Sequence, residues 1–174
     1  MRRKINAVLS LIITILLMDH AIFNAVWMLS KGSIPKSMET SFIMFGLMYV
    51  HAIISIVLAV LGHKGAEKRK CKEYPQMNIS TIIQRISGIL LIIFTVLHVL
   101  GPVGILQPPK AVHAVLPILF FTLTMAHVAV SGSKALITLG IGNAKFIKIA
   151  DIIIKLLCAL TLVLDVIGFY LYLV

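Results

Sequence analysis

Apolar residues run along this chain in five long stretches that are separated by short polar segments. The stretches cover residues 5–30, 41–62, 79–100, 111–130 and 146–174. Each is long enough for a helix that crosses a hydrocarbon layer about 30 Å thick at about 1.5 Å per residue. Within lipid a single segment satisfies its own backbone groups only as a helix. The pattern therefore predicts an all-α integral membrane protein with five transmembrane helices in a single domain spanning residues 1–174.

Three of the polar segments carry the Gly and Pro or Ser residues typical of interhelical turns. They fall at residues 32–35, 101–109 and 131–143. The sequence leaves open whether Pro117 kinks the fourth helix or marks a later start. A signal peptide over residues 1–25 is an alternative interpretation of the first stretch. The apolar run continues to Leu29 without a convincing cleavage site, which favours a retained helix.

Composition narrows the class of protein. Of the 174 residues, 60% are hydrophobic and 13% are charged, and the mean hydropathy is +1.06, which excludes an ordinary soluble domain. The residues outside the five stretches are too few for a globular domain with its own core. The two cysteines, Cys71 and Cys158, form no CxxC metal motif. The function must therefore lie within the bilayer.

The formal net charge of +10 is a topology signal and does not indicate nucleic-acid binding. Only three basic residues border the predicted helices on one side of the membrane, namely Lys31, Lys36 and Lys110. Twelve lie on the opposite side: Arg2, Arg3, Lys4, Lys64, Lys68, Arg69, Lys70, Lys72, Arg85, Lys134, Lys145 and Lys148. The positive-inside rule then predicts a multi-pass protein of the cytoplasmic membrane, with its N-terminus in the cytoplasm and its C-terminus outside.

Each of the first four predicted helices carries one histidine inside the membrane. They are His20, His51, His98 and His127. A single intramembrane histidine is often satisfied by a hydrogen bond to a neighbouring helix. Four in four consecutive helices favour a cofactor, because imidazole is a common ligand of haem iron and a low-spin b-type haem between two helices needs one histidine from each. Four histidines match two haems.

An up-and-down bundle suggests how the histidines pair. The first and third helices run in one direction, the second and fourth in the other, and each pair can lie across a diagonal of the bundle. This predicts that His20 pairs with His98 and that His51 pairs with His127. Counting about 1.5 Å per residue from the nearest basic residue places the first pair nearer the outside and the second nearer the cytoplasm.

Three other polar residues are candidates for roles beside such a cofactor. Arg85, at the start of the third helix, can pair with a haem propionate or extend to the lipid headgroups. Asp19 points about 100° away from His20 around the helix and can line a quinone or proton site or bond within the bundle. Asp165, deep in the fifth helix, has no obvious partner in the sequence and is a candidate for proton transfer.

The third stretch resembles a known family. The run 84–88, Gln-Arg-Ile-Ser-Gly, followed by an apolar stretch to His98, resembles the third helix of the cytochrome b membrane anchors of succinate:quinone oxidoreductases and fumarate reductases. The run 49–52, Tyr-Val-His-Ala, resembles the family's ligand region in the second helix. The layout of one chain, five helices and four histidines resembles the family branch that carries two haems.

The resemblance implies a set of cofactors, partners and site residues. It implies that Arg85 contacts a haem propionate, with Ser87 as a weaker candidate. It implies an FAD-containing flavoprotein subunit and an iron-sulfur subunit on the cytoplasmic face, with electrons exchanged with menaquinone or ubiquinone in the membrane. It implies two haem b groups, a distal one ligated by His20 and His98 and a proximal one ligated by His51 and His127.

Two alternatives remain open at this point. A di-haem cytochrome b could serve another dehydrogenase, such as a hydrogenase or a formate dehydrogenase. A small transporter or proton-conducting protein could instead use His and Asp residues as a proton path without haem, although the sequence shows no inverted repeat of the kind secondary transporters use. Haem content separates the second alternative from the electron-transfer functions.

Overall fold

Five long helices account for nearly all of the fold. A computed structural model describes residues 2–33, 39–68, 79–100, 105 and 110–173. The helices are α1 Arg2–Leu29, α2 Glu39–Lys68, α3 Ile79–Leu100, α4 Lys110–Leu139 and α5 Ala144–Leu173, and no strand occurs in the described part of the chain. Each is long and apolar enough to cross a membrane. The predicted all-helical, five-span character is confirmed, while Lys36, Arg69, Lys70, Cys71 and Lys72 lie outside the described residues.

The fourth helix is longer than the sequence predicts. The prediction ended it near residue 130 and assigned 131–143 to a turn, whereas α4 continues to Leu139. Pro117 lies inside α4 and does not delay its start. The small residues that suggested a turn serve packing instead: a Cβ on Gly132 would lie 3.1 Å from a methyl carbon of Ile154 in α5. The missing side chain lets α4 and α5 approach closely, so the helix is maintained by tertiary contact.

The true break between α4 and α5 lies at residues 140–143 and has specific end motifs. Gly140 has a φ of +74°, and its N–H donates to the carbonyl of Ile137 at 3.1 Å. The N–H of Ile141 donates to the carbonyl of Leu136, also at 3.1 Å, which completes a Schellman motif. Asn143 then caps α5, because its Oδ1 accepts the N–H of Phe146 at 2.9 Å.

The first four helices form the corners of an up-and-down bundle, and α5 lies outside it. Helix α1 packs against α2, α4 and α5, and α4 also packs against α3. Helices α2 and α3 touch at only a few points, so this side of the bundle is nearly open. Within the described helices the backbones of α1 and α3, and those of α2 and α4, do not come within 8 Å of each other between Cα atoms. These are the two diagonals on which the sequence analysis expected the histidine pairs.

Cross-helix contacts define the direction of each helix. Asn6 near the start of α1 bonds to Ser55 in the second half of α2 at 3.1 Å, as antiparallel neighbours require. Helix α5 runs parallel to α1, since the hydroxyl of Thr161 contacts the sulfur of Met18 and Gly168 packs on the backbone of Ala25. Small and apolar buried residues form the centre of the bundle: Leu17, Ala21, Met44, Met125, Val128 and Cys158. The starts of α1, α3 and α5 therefore share one end of the molecule.

Candidate functional site

A large cavity lies inside the bundle at the end where α1, α3 and α5 begin. Its volume is about 720 Å³, and all of the first four helices contribute to its wall. Pockets that take drug-sized ligands and cofactors occupy roughly 300–1,000 Å³. On α1 the wall extends from Arg3 to Leu17, about 20 Å along the helix axis. The space is thus large enough for a flat cofactor that stands between helices.

The cavity opens sideways between α2 and α3. Ile56 of α2 and Ile89 of α3 both line it, yet their side chains are 52% and 61% exposed. Residues that line an interior space and also face outward mark its rim. Because α2 and α3 touch at few points, this rim faces the hydrocarbon layer along the side of the bundle. A lipid-soluble group has a direct route into the cavity.

Two of the four predicted histidines line this cavity together. They are His51 of α2 and His127 of α4, the pair that the diagonal argument selected. The ring of His51 bonds to the backbone of Asn6 in α1, while its Nδ1 atom is buried and has no hydrogen-bond partner among the described residues. An unsatisfied buried polar atom costs about 1–3 kcal/mol, so a group that fills the cavity and engages this ring would remove a penalty.

The ring of His127 is held in one tautomer by Ser87 of α3. The Ser87 hydroxyl lies 2.6 Å from the carbonyl oxygen of Ile83 and 2.9 Å from Nδ1 of His127. A hydroxyl has one proton, and the carbonyl can only accept, so the hydroxyl donates to Ile83 and accepts the N–H of Nδ1. The lone pair of His127 therefore resides on Nε2. This is the arrangement in which metal-ligating histidines are found, with one nitrogen donating to a fixed partner and the other available to a metal.

Gly88 lets the ring of His127 lie close to the backbone of α3. A Cβ at this position would be 3.2 Å from Cε1 and 3.7 Å from Nδ1 of the ring. Gly88 also lines the cavity. The adjacent Ser87 and Gly88 thus act together, one orienting the imidazole and the other providing room for it.

Cationic and amide groups surround the same cavity. Arg3, Arg85 and Lys134 line it, one each from α1, α3 and α4. Nζ of Lys134 donates to Oε1 of Gln84 at 2.9 Å. Lys134 follows His127 by two helical turns on the same face, about 10 Å along the axis. A ligand whose centre meets the histidines and whose acidic groups reach toward the end of the bundle would meet these positive charges.

The other two histidines occupy the opposite end of the bundle and do not line this cavity. Nδ1 of His20 lies 3.1 Å from Oγ of Ser41 in α2, and Nε2 lies 2.9 Å from Nδ2 of Asn24. Both ring nitrogens of His20 are therefore engaged by protein. As arranged here, His20 presents no lone pair to a metal.

His98 lies among aromatic side chains. Its ring stacks on Phe120 with a centroid separation of 4.7 Å and an angle of 15° between the planes. Phe45 and Phe121 approach the same ring at 6.2 and 6.4 Å. These rings belong to α2 and α4, so this end of the bundle is filled by side chains where the other end is hollow. The residues around His20 and His98, in this arrangement, do not form a cradle that fits a haem.

The two predicted aspartates have opposite environments. Asp19 is exposed on the outer surface of α1. Asp165 is only 2% exposed, and neither of its carboxylate oxygens has a hydrogen-bond partner among the described residues. It shares the buried face of α5 with Thr161 and Gly168, which contact α1. Asp165 is therefore directed at the α1–α5 interface and not at the cavity.

Sequence reasoning missed three contributors to these sites: Lys134 and Gln84 at the cavity, and Asn24 at the other end. Lys134 lies on the same face of α4 as His127. The sequence analysis did not detect this because it ended the fourth helix near residue 130, before Lys134. Gln84 lies within the run that carried the family resemblance. Asn24 follows His20 by one turn, a spacing at which side chains on a helix meet.

No group of three or more His, Cys, Asp or Glu side chains that could hold a bare metal ion occurs among the described residues. A b-type haem needs only two axial ligands from protein, so the pair in the cavity matches that requirement in number. The chain matches no protein-family model, no curated protein and no solved structure.

Proposed function

We propose that this protein is a di-haem cytochrome b that anchors a succinate dehydrogenase or fumarate reductase in the membrane. It would pass electrons between an FAD-containing flavoprotein with its iron-sulfur subunit and menaquinone or ubiquinone. One observation carries the proposal. Two histidines from diagonal helices line one cavity of suitable size, and one of them is held by Ser87 with its Nε2 available. The resemblance of the run 84–88 supports the choice of family.

The cavity residues have distinct roles in this proposal. His51 and His127 are the axial ligands of the proximal haem, and Ser87 is a positioning residue that orients the imidazole of His127. Arg85 and Lys134 hold the propionates through charge-assisted hydrogen bonds, which are about twice as strong as neutral ones. Haem b supplies one-electron redox chemistry through its iron. Two imidazole ligands would favour a low-spin haem iron.

The charge distribution supports the proposed orientation and partners. The cationic rim of the cavity lies at the end that the positive-inside rule assigns to the cytoplasm. Exposed cations occur at the same end, at the start of α1 and of α5: Arg2, Arg3, Lys4, Lys145 and Lys148. Such a surface is suited to acidic patches on a docked iron-sulfur subunit, which electrostatic complementarity would steer into place.

His20 and His98 are proposed as the ligands of the distal haem, and binding there would require the Asn24 amide to leave Nε2 of His20 and the aromatic rings around His98 to move. They lie on the other diagonal, α1 and α3, at the opposite end of the bundle, where the electrons would meet quinone. Asp19 and Asp165 are proposed as residues of quinone or proton handling at that end. The buried, unpartnered carboxyl of Asp165 is also the observation that favours the second candidate, a haem-free proton-conducting protein.

Haem content tests the proposal directly. We would purify the full chain in detergent from cells with ample haem, record a dithionite-reduced minus oxidised spectrum, and measure haem per chain as the pyridine haemochrome. The expected result is two low-spin b haems per chain, with His127→Ala and His98→Ala each losing one. If the purified chain contained no haem, the proposal would be wrong and the haem-free proton-conducting protein would replace it.

The partners are tested by affinity purification of the tagged chain under mild conditions. A flavoprotein with succinate-reducible haem in the purified complex supports the succinate dehydrogenase or fumarate reductase anchor. Haem that is reduced by hydrogen or formate, and not by succinate, would assign the cytochrome to another dehydrogenase.

A further inference from the structure

The wall of the cavity is exposed to the outside along one side of the bundle. On α1 and α4 the described lining residues are buried or half-buried, apart from Arg3 and Thr138 at the end of the molecule. On α2 and α3, by contrast, several lining residues are also exposed on the outer surface. We refer to these residues together as the slit: Tyr49, Ile56, Ala59, Val60, Arg85 and Ile89. Since α2 and α3 touch at only a few points, the slit connects the cavity with the surroundings of the bundle.

The slit faces the hydrocarbon layer over most of its length. On α2 it extends from Tyr49 to Val60, about 16 Å along the helix axis. Both residues lie within the apolar span Ser41–Leu61 of this helix. The slit is therefore about half as long as the hydrocarbon layer is thick. A molecule that is dissolved in the bilayer can reach it directly.

The polarity of the slit matches that of haem. Haem b is a flat apolar ring with two propionate carboxylates on one edge, so in a bilayer the ring lies among the lipid tails and the carboxylates lie at the headgroups, where charge stays hydrated. Ile56 and Ile89 form an apolar part of the slit, and Arg85 lies one helical turn from Ile89 toward the start of α3. Lys134 lines the cavity and bonds to Gln84, the residue next to Arg85. A haem that moves sideways from the lipid would keep its orientation, with its propionates on the side where Arg85 and Lys134 lie.

We propose that the slit admits haem into the cavity from within the bilayer, between α2 and α3. The inference rests on the proposed function, because it takes His51 and His127 as the ligands inside the cavity. Ile56 and Ile89 border the path on its two sides, with side chains that are 52% and 61% exposed. The space between these two side chains then sets the rate of haem uptake, whereas the ligands inside set the final affinity. Rate and affinity should therefore respond to different substitutions.

The test measures the rate of haem uptake by the full chain, reconstituted without haem in phosphatidylcholine vesicles. Haemin is added by rapid mixing, and uptake is followed as the part of the Soret absorbance change that is absent from His127→Ala. Ile56→Trp combined with Ile89→Trp narrows the slit and should slow uptake about tenfold, while the haem bound at equilibrium is unchanged. The matched control is Ile53→Trp combined with Ile93→Trp, which should load at the unmodified rate. Ile53 and Ile93 are 62% and 53% exposed on the same two helices and do not line the cavity.

A second variant keeps the test valid if the tryptophan pair does not fold. Ile56→Ala combined with Ile89→Ala widens the slit and should load haem faster. Slower uptake by the tryptophan pair, or faster uptake by the alanine pair, supports the inference if the control is unchanged. An unmodified rate in both pairs, or equal slowing in the control, would show that haem arrives by another route; the inference then fails alone, because haem still binds at equilibrium. If the unmodified chain shows no His127-dependent haem, the proposed function and the inference fail together.

Discussion

The serine that holds His127 offers a sharp test of the cavity. Ser87→Ala removes a hydroxyl that is 4% exposed and lies 2.9 Å from Nδ1 of the ring. Among the described residues the ring of His127 also bonds to the backbone of Gln84, so the loss of the Ser87 hydroxyl weakens the hold on the ring at a cost of at most about 1–3 kcal/mol. Partners of this kind typically contribute 10–100-fold to the affinity of a metal site. We therefore expect haem at the cavity end to bind about 10–100-fold more weakly.

Ser87→Ala should also change the midpoint reduction potential of the haem bound at the cavity end. A hydrogen bond at Nδ1 makes the imidazole a stronger donor, which stabilises ferric more than ferrous haem. Loss of this hydrogen bond should therefore raise the midpoint potential of the haem. If the affinity for ferric haem falls tenfold more than the affinity for ferrous haem, the midpoint potential rises by about 59 mV.

The matched control is Ser10→Ala, because the Ser10 hydroxyl lines the same cavity but, among the described residues, bonds to the carbonyl of Ala7 at 2.8 Å and not to a histidine. Haem titration and a spectroscopic redox titration of both variants provide the measurement. Equal effects of Ser87→Ala and Ser10→Ala, or an unchanged Ser87→Ala, would refute the assigned role of Ser87.

Four further predictions follow from the same geometry. Gly88→Leu should prevent haem binding at the cavity end while the purified protein keeps its helical circular dichroism, since even a Cβ there lies 3.2 Å from His127; normal haem binding would contradict the close approach. Lys134→Met should weaken haem binding roughly two- to fivefold, with less effect at high salt, and salt-independent loss would exclude a propionate contact. Asp165→Leu should raise the midpoint of thermal unfolding in detergent by several degrees, because it removes a buried carboxyl without a partner, and a fall would indicate a partner that Asp165 needs. Cysteines at Ser33 and Lys145, in chains whose native cysteines are changed to Ser, should react with an impermeant thiol reagent from the outside and from the cytoplasm, respectively; the reverse pattern would overturn the proposed orientation.

The number and type of helices followed from the sequence because lipid imposes a simple rule. Each apolar stretch must satisfy its own backbone, so length and composition alone predicted five spans, and the start of α3 at Ile79 agrees with the predicted boundary. The end of α4 was mispredicted. Ser and Gly at 131–133 have weak helix propensity, whereas in the structure Gly132 packs closely against Ile154 of α5, a contact that no sequence pattern reports.

The four intramembrane histidines were visible in the sequence, because a titratable side chain in lipid needs a reason to be there. Their spacing along the helices also predicted which pairs share an end of the bundle. What no sequence pattern reported is the state of each ring. The position of each ring depends on which neighbouring helix supplies Ser87, Ser41 or Phe120, whereas the amide of Asn24 reaches Nε2 of His20 from one turn along α1 itself. The contacts with Ser87, Ser41 and Phe120 join residues that are distant in the chain, so only the tertiary structure decided that His51 and His127 line a cavity while His98 packs among aromatic rings.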